Sequence, residues 1–194
     1  MGALILGLLL FLGMHSVRIG AEGWRSQVIA QRGARTWKGL YAMVSLVGFG
    51  LICWGYAQVR QAPQVLWTSP TWTRHLAALL MLVAMVLLVA AYVPRNGIKA
   101  RFHHPMVLAV KVWALAHLMA NNTLADVLLF GSFLLWAVLD FSAARRRDRV
   151  AAVRYASGTT GATVVTVLVG AVAWAVMAFW AHSLLFGVRP FGGA

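Results

Sequence analysis

Six long apolar stretches restrict this chain to a helical fold in a lipid bilayer. A helix needs about 20 mostly apolar residues to cross the hydrocarbon core, and hydrophobic periodicity predicts six such spans. The predicted spans are residues 3–19, 40–59, 75–93, 105–121, 123–141 and 163–186. A bilayer offers no water to the backbone, so every spanning segment must satisfy its own hydrogen bonds. We therefore predict an all-α, multi-pass membrane helical bundle that forms a single domain over residues 1–194.

The fourth and fifth predicted spans are separated only by the sequence ANNT. Asn121, Asn122 and Thr123 suit a tight turn between two helices. One continuous helix over both spans would have about 36 residues, which is too long for one crossing. The sequence therefore predicts six transmembrane helices.

The basic residues predict the orientation of the bundle. Of the 17 lysines and arginines, most fall in or next to the connections after spans one, three and five. These are Arg18, Arg25, Arg32, Arg35, Lys38, Arg95, Lys99, Arg101, Arg145, Arg146, Arg147, Arg149 and Arg154. Arg60, Arg74 and Arg189 lie on the other side, and Lys111 lies within a span. Because cytoplasmic loops are rich in Lys and Arg, we expect both termini outside the cytoplasm.

The charge balance also excludes several functions. A formal net charge of +13 that sits between apolar runs suits an anionic membrane surface, so we expect membrane lipid and no nucleic acid as a partner. The few acidic residues argue against carboxylate acid–base catalysis, and helix capping is the expected role of Asp126. The sequence has no phosphate loop, dinucleotide fingerprint or metal-binding cysteine pair.

His117 is a polar residue near the middle of the fourth span. Polar groups at this depth usually face the bundle interior and mark function. Helical spacing places Trp113, Ala114, His117 and Asn121 on one face. A small residue beside a histidine, flanked by an aromatic ring, would admit a flat macrocycle. The alternative is ordinary helix packing through Ala114 and Ala116.

His15 lies in the first span, three residues before Arg18. Its alternatives are a hydrogen bond to a neighbouring helix or, with His117, a haem site, because neutral imidazole binds iron and basic side chains pair with propionates. For such a site we expect Arg18 and Lys111 to lie close together, with the propionates toward the cytoplasm. Counted from the span ends, His15 falls several ångströms nearer the cytoplasm than His117. Unless helix tilt closes that gap, only one of them binds iron.

The other histidines have simpler interpretations. His104 precedes Pro105, and proline favours the first position of a helix, so His104 marks helix entry. His75 and His182 lie near the outer ends of spans three and six, where an interfacial role is expected. His103 is predicted to lie in a loop.

Five segments together resemble the NnrU family of bacterial integral membrane proteins. They are LFLGMHSVRI (10–19), YAMVSLVGFGLICWGY (41–56), WTRHLA (72–77), HPMVLAVKVWALAHLMAN (104–121) and LLFGSFLLWA (128–137). The family name associates these proteins with nitrite and nitric oxide metabolism in denitrifying bacteria. The resemblance implies a multi-pass protein of the bacterial inner (cytoplasmic) membrane.

The same domain occurs in zeta-carotene isomerase, a haem b membrane protein that isomerises a cis double bond. Its haem-binding histidines lie in a His-Ser motif and a Trp-x-Leu-Ala-His motif, which match His15–Ser16 and Trp113–His117 here. The resemblance implies haem b with His15 and His117 as iron ligands. The isomerase has a cysteine, linked to redox ligand switching, at the position of Ala114. The expected haem-binding residues are His15, Arg18, Lys111, Trp113, His117 and Asn121, and no catalytic residue is assigned.

Three classes of function are compatible with the sequence and its resemblance. The first is an NnrU-type haem b protein with a redox or sensing role, which would take nitric oxide or an apolar small molecule and meet a respiratory or redox partner protein. The second is a haem-dependent cis–trans isomerase of a carotenoid-like polyene, which the missing cysteine weakens. The third is a membrane methyltransferase, suggested faintly by FHHPMV (102–107), or a non-catalytic assembly partner of a respiratory complex.

Overall fold

A computed structural model describes residues 1–191 of the chain, which are mainly helical. The helices are α1 (Gly2–Gly20), α2 (Glu22–Val59), α3 (Thr71–Tyr92), α4 (Gly97–Phe102), α5 (Pro105–Ala120), α6 (Leu124–Val150), α7 (Thr160–Val176) and α8 (His182–Phe186), with a π-helical turn at Met177–Ala181. Residues 1–191 contain no β-strand and only isolated bridges. The last three residues of the predicted domain, 192–194, lie outside the described part of the chain.

Five helical segments within residues 1–191 are long and apolar enough to cross a membrane. They are α1, α2, α3, α6 and the continuous segment Thr160–Phe186. These helices confirm the predicted multi-pass, all-α membrane protein. The remaining predicted span, 105–121, corresponds to α5, a shorter apolar helix of 16 residues. The count of six crossings therefore stays a prediction.

Two helices extend well beyond the predicted spans. α2 begins at Glu22, so the basic connection before the second span is helical, with one break at Gly33 (φ 82°, ψ 155°). A positive φ costs glycine little because it has no Cβ. α6 continues through the arginines to Val150. Hydropathy predicts only the part of a helix that contacts lipid. Arginine, alanine and glutamine also favour helix in water, so α2 and α6 extend beyond their apolar stretches.

The chain divides into two compact units. Unit 1 comprises residues 1–68 and 122–144, and unit 2 comprises residues 69–121 and the chain from Arg145 onward. The helix α6 contributes its apolar part to unit 1 and its basic end to unit 2. The single domain over residues 1–194 stays a prediction.

In unit 1, α1 and α2 pack with their backbones in close contact. A Cβ on Gly7 would lie 2.6 Å from the backbone nitrogen of Ile52, and one on Gly48 would lie 2.7 Å from that of Phe11. Leu4 is fully buried at the same contact. Lipid offers no hydrophobic drive for helix association, so close packing through small residues must hold these two helices together.

The first turn of α6 is capped within unit 1. The Asp126 carboxylate (Oδ2) accepts hydrogen bonds from the Thr123 backbone nitrogen (3.0 Å) and hydroxyl (2.6 Å). The Thr123 hydroxyl accepts one from the backbone nitrogen of Asp126 (3.2 Å), which makes a reciprocal capping arrangement. The Tyr56 hydroxyl donates to the other Asp126 oxygen. The predicted capping role of Asp126 is confirmed.

The chain breaks between α5 and α6 at the predicted Asn121–Thr123 turn, and the loop after α2 binds to this turn. The Leu66 nitrogen donates to the Asn122 carbonyl (2.8 Å), and the Leu124 nitrogen donates to the Gln64 carbonyl (2.9 Å). The Asn122 side-chain amide donates to the Trp67 carbonyl (2.6 Å). Two segments far apart in the sequence are therefore fixed at one end of unit 1.

In unit 2, α3 packs against both α5 and α7. A Cβ on Gly170 would lie 2.7 Å from the Cα of Val86, and the Trp174 indole donates to the Ala78 carbonyl (3.0 Å). Ala114 and Ala116 of α5 are fully buried. Small residues again permit the close approach of the helices.

Asn96 holds the connection between α3 and α4. Its side chain is 1% exposed, and its amide donates to the carbonyls of Ala90 (2.9 Å) and Val93 (2.6 Å). Its side-chain oxygen accepts from the Lys99 nitrogen (2.8 Å), which caps the N-terminus of α4. One buried side chain thus satisfies three backbone groups.

Candidate functional site

His117 lies in the last turn of α5, within unit 2. Its Nδ1 is 2.8 Å from the carbonyl oxygen of Trp113, and the two rings are 5.3 Å apart. A carbonyl can only accept a hydrogen bond, so Nδ1 carries the proton and, in the neutral ring, Nε2 carries the lone pair. Metal-binding histidines commonly show this arrangement, in which one ring nitrogen is fixed by a carbonyl.

Two of the residues predicted around His117, Trp113 and Asn121, do contact it. The Asn121 side chain and backbone nitrogen both donate to the His117 carbonyl, at 3.0 Å and 2.9 Å. Asn121 therefore caps the end of α5, next to the Trp113–His117 pair. Lys111 is half-buried on the same helix. Ala114, on this face, is fully buried, which supports the helix-packing role for that position.

His15 in unit 1 shows the same local geometry as His117. Its Nδ1 is 2.7 Å from the carbonyl oxygen of Phe11, one turn earlier in α1. The proton again belongs on Nδ1, and Nε2 carries the lone pair. The ring is surrounded by aromatic groups, with centroid distances of 4.1 Å to Phe11, 5.0 Å to Tyr41 and 6.0 Å to Trp136.

Two buried donors accompany His15 in unit 1. The Trp136 indole nitrogen and the Ser45 hydroxyl are buried and have no hydrogen-bond partner within residues 1–191. Ser45 lies one turn after Tyr41 on α2, and Trp136 lies on α6. Buried polar groups are nearly always satisfied, so the Trp136 donor, whose ring is 6.0 Å from that of His15, fits a site that receives a polar group beside His15. Sequence reasoning missed both residues, although a tryptophan N–H within a lipid span was a signal.

Arg18 is exposed and paired near the end of α1. Its Nε is 3.4 Å from one carboxylate oxygen of Glu22, and Arg25 is 2.7 Å from the other. Exposed ion pairs of this kind contribute about 0–1 kcal/mol. The predicted proximity of Arg18 to Lys111 stays a prediction, as does the pairing of His15 with His117, since each pair joins residues of different units.

No group of three or more His, Cys, Asp or Glu side chains within residues 1–191 could hold a metal ion alone. Haem differs from a bare ion because the porphyrin supplies most of the iron ligands and the protein supplies only axial ones. A haem iron therefore needs only single histidines, such as His15 and His117, from the protein.

A second polar cluster lies in unit 2, where α6 ends. The Asp148 carboxylate (Oδ2) is 2.7 Å from Nε2 of His104, and it accepts a hydrogen bond from the Tyr155 hydroxyl (2.8 Å). The His103 ring stacks on Tyr155 at 4.0 Å with an interplanar angle of 3°, and Arg145 donates to Nδ1 of His103. Sequence reasoning missed this cluster. The signal for it was the single acid, Asp148, among the five arginines of residues 145–154.

The two adjacent histidines of this cluster have different backbone roles. His104 precedes Pro105 at the start of α5, as predicted, and also binds Asp148. His103 lies between α4 and α5 as predicted, with a positive φ of 66°. Burial, followed by the hydrogen bond to Asp148, raises the pKa of Tyr155 to about 12.

The fold and these sites define a class, the multi-pass helical membrane proteins that carry histidines within their membrane-spanning helices. The chain belongs to the NnrU family, because the family model described as NnrU protein matches residues 3–190. This match confirms the resemblance found in the sequence. No curated protein and no solved structure matches the chain.

Proposed function

We propose that this NnrU protein binds haem b within the membrane, with His117 and His15 as the iron ligands. One shared observation supports the proposal. Each histidine is bound through Nδ1 to the carbonyl four residues earlier in its own helix, at 2.8 Å and 2.7 Å. In both neutral rings the lone pair is on Nε2, the nitrogen suited to iron.

The surrounding side chains fit the proposed cofactor. Trp113 and the aromatic groups around His15 offer flat apolar contacts for a macrocycle. The buried donor of Trp136, whose ring lies 6.0 Å from that of His15, suits a polar group beside His15. Arg18 and Lys111 are the proposed partners of the propionates, because carboxylates in low dielectric need cationic partners.

The proposed role is redox chemistry or sensing linked to nitrogen oxides. A haem supplies one-electron chemistry, and it can bind a diatomic molecule when only one histidine is bound to the iron. The link to nitrite and nitric oxide comes from the family name, and the proposed location is the bacterial inner membrane. A histidine within a membrane span suits a small apolar ligand such as nitric oxide, which can arrive through lipid. A respiratory or redox protein is the proposed partner.

An absorption spectrum of the detergent-purified protein tests the proposal. We expect a Soret band that shifts on reduction. His117→Ala should lose haem or convert the iron to high spin, and His15→Ala should do the same. His75→Ala and His182→Ala are the controls, because the proposal gives these residues no part in iron binding.

Each result has a defined meaning. A wild-type protein without haem, produced in a haem-replete host, would refute the cofactor proposal. An unchanged spectrum in His117→Ala would refute that ligand. A change in only one of the two histidine variants would show that a single histidine binds iron.

A further inference from the structure

A small pocket lies in unit 2 where α6 ends. It has a volume of about 250 Å³ and is lined by His103, Arg145, Asp148, Arg149, Ala152 and Val153. Pockets that enclose drug-sized ligands measure roughly 300–1,000 Å³. This pocket therefore suits one small polar group.

The lining offers positive charge to such a group. Arg145 and Arg149 are four residues apart on α6, so they lie on one helix face. The Asp148 carboxylate already accepts hydrogen bonds within the protein, from Tyr155 (2.8 Å) and from His104 (2.7 Å). The guanidinium fork matches the oxygens of a phosphate group and can bind two of them at once.

His103 adds an oriented donor to the pocket. Arg145 donates to its Nδ1, so that nitrogen is an acceptor and the ring proton lies on Nε2. The ring is held in place by stacking on Tyr155, with centroids 4.0 Å apart. The side chain thus presents an N–H group without a large loss of entropy on binding.

The backbone around the pocket is strained. Within residues 1–191, three non-glycine residues have a positive φ, and two of them, His103 (66°) and Ala152 (49°), line this pocket. Such conformations are unfavourable for residues with a Cβ and cluster at functional sites. The strain is therefore concentrated in the two segments that carry the pocket.

We infer that this pocket binds a phosphate group, through Arg145, Arg149 and His103. The phosphate can come from an anionic lipid headgroup or from a free phosphate ion. The proposed phosphate site and the proposed haem site share no residue. The inference therefore does not depend on haem binding.

Two binding measurements on the purified full chain test the inference. Native mass spectrometry measures retention of phosphatidylglycerol against phosphatidylcholine, and calorimetry measures binding of inorganic phosphate. Arg149→Gln should lower the affinity for the bound species on the order of tenfold. Because the Arg149 side chain is exposed, the Arg149→Gln variant should have the same helical content and thermal unfolding as the wild type.

Arg146→Gln is the matched control. It removes the same charge from the same turn of α6, is exposed, and is absent from the pocket lining. It should change affinity by less than about twofold, since long-range charge effects at exposed sites are small. A selective loss of phosphatidylglycerol would identify a lipid headgroup, and a selective loss of inorganic phosphate would identify a free anion. Equal losses in both variants, or no binding of either species to the wild type, would overturn the inference.

Discussion

At the scale of single residues, Asn96 is expected to contribute strongly to stability through its three hydrogen bonds. Its replacement by alanine would leave the carbonyls of Ala90 and Val93 and the nitrogen of Lys99 without their partner. We expect Asn96→Ala to lower the free energy of unfolding by about 3 kcal/mol, because each buried group loses its hydrogen bond. Asn122→Ala removes one exposed bond to Trp67 and should cost about 1 kcal/mol or less. Thermal unfolding in detergent compares the two variants. Equal losses of unfolding free energy would contradict this role of Asn96.

Tyr155 is expected to stay protonated at alkaline pH. Burial and the hydrogen bond to Asp148 raise the pKa of Tyr155 to about 12, compared with about 10 for an ordinary tyrosine. Asp148→Asn removes the negative charge that disfavours tyrosinate, so the Tyr155 pKa should fall. The tyrosinate absorbance between about pH 9 and about pH 11 measures this shift, with Tyr155→Phe variants of both proteins as subtracted backgrounds. Identical titration in the two proteins would contradict the contact.

The difference between predicted and missed residues has a physical origin. Trp113, His117 and Asn121 belong to one helix, and helical periodicity alone places them together. Trp136 and Tyr41 come beside His15 from two other helices, and no local pattern fixes how those helices rotate about their axes. The His104–Asp148 contact, at 2.7 Å, likewise depends on how the segments before α5 and after α6 return to each other.

At the scale of helices, the α1–α2 contact should depend on individual glycines. A Cβ on Gly48 would lie 2.7 Å from the Phe11 nitrogen, whereas one on Gly50 has nothing within 4 Å. Gly48→Ala must push the backbones apart, and we expect a loss of about 1–3 kcal/mol in unfolding free energy. Gly50→Ala should be neutral or stabilising by up to about 1 kcal/mol, since alanine favours helix.

Unfolding of the two glycine variants in mixed detergent micelles measures this difference. Helical content by circular dichroism should be equal before unfolding, so the comparison isolates packing from helix propensity. If Gly50→Ala destabilised the protein as much as Gly48→Ala, the close α1–α2 contact would not be the cause.

Helix ends were less predictable than helix cores. The apolar part of α6 is predicted by hydropathy, and its start by the capping role of Asp126, which its bonds to Thr123 confirm. Its basic continuation to Val150 was not predicted, because a hydropathy pattern ends where the lipid ends, while the helix is free to continue into water.

At the scale of the whole molecule, contacts within unit 1 bear on the number of crossings. The Leu66 nitrogen donates to the Asn122 carbonyl (2.8 Å), and the Asn122 amide donates to the Trp67 carbonyl (2.6 Å). The chain thus leaves this end of unit 1 after Thr68 and returns to it at Asn122. Between these points it must cross the membrane an even number of times. Since α3 is long and apolar enough to be one crossing, we expect α5 to be the second.

The length of α5 is compatible with this expectation. Its 16 residues rise about 24 Å at 1.5 Å per residue, compared with a hydrocarbon thickness of roughly 30 Å. Local thinning of the bilayer accommodates a short span at modest cost.

Labelling of single cysteines with a membrane-impermeant maleimide tests both the crossing number and the orientation. In a Cys53→Ser background, Ala62→Cys and Ser157→Cys place one exposed thiol in the loops after α2 and α6. With six crossings and the basic loops in the cytoplasm, Ala62→Cys should react in intact cells and Ser157→Cys only after permeabilisation. If α5 did not cross, α6 would carry Ser157 to the same side as Ala62, and both thiols would react in intact cells. Labelling of Ser157→Cys alone would mean that the whole bundle is inverted, against the distribution of its arginines and lysines.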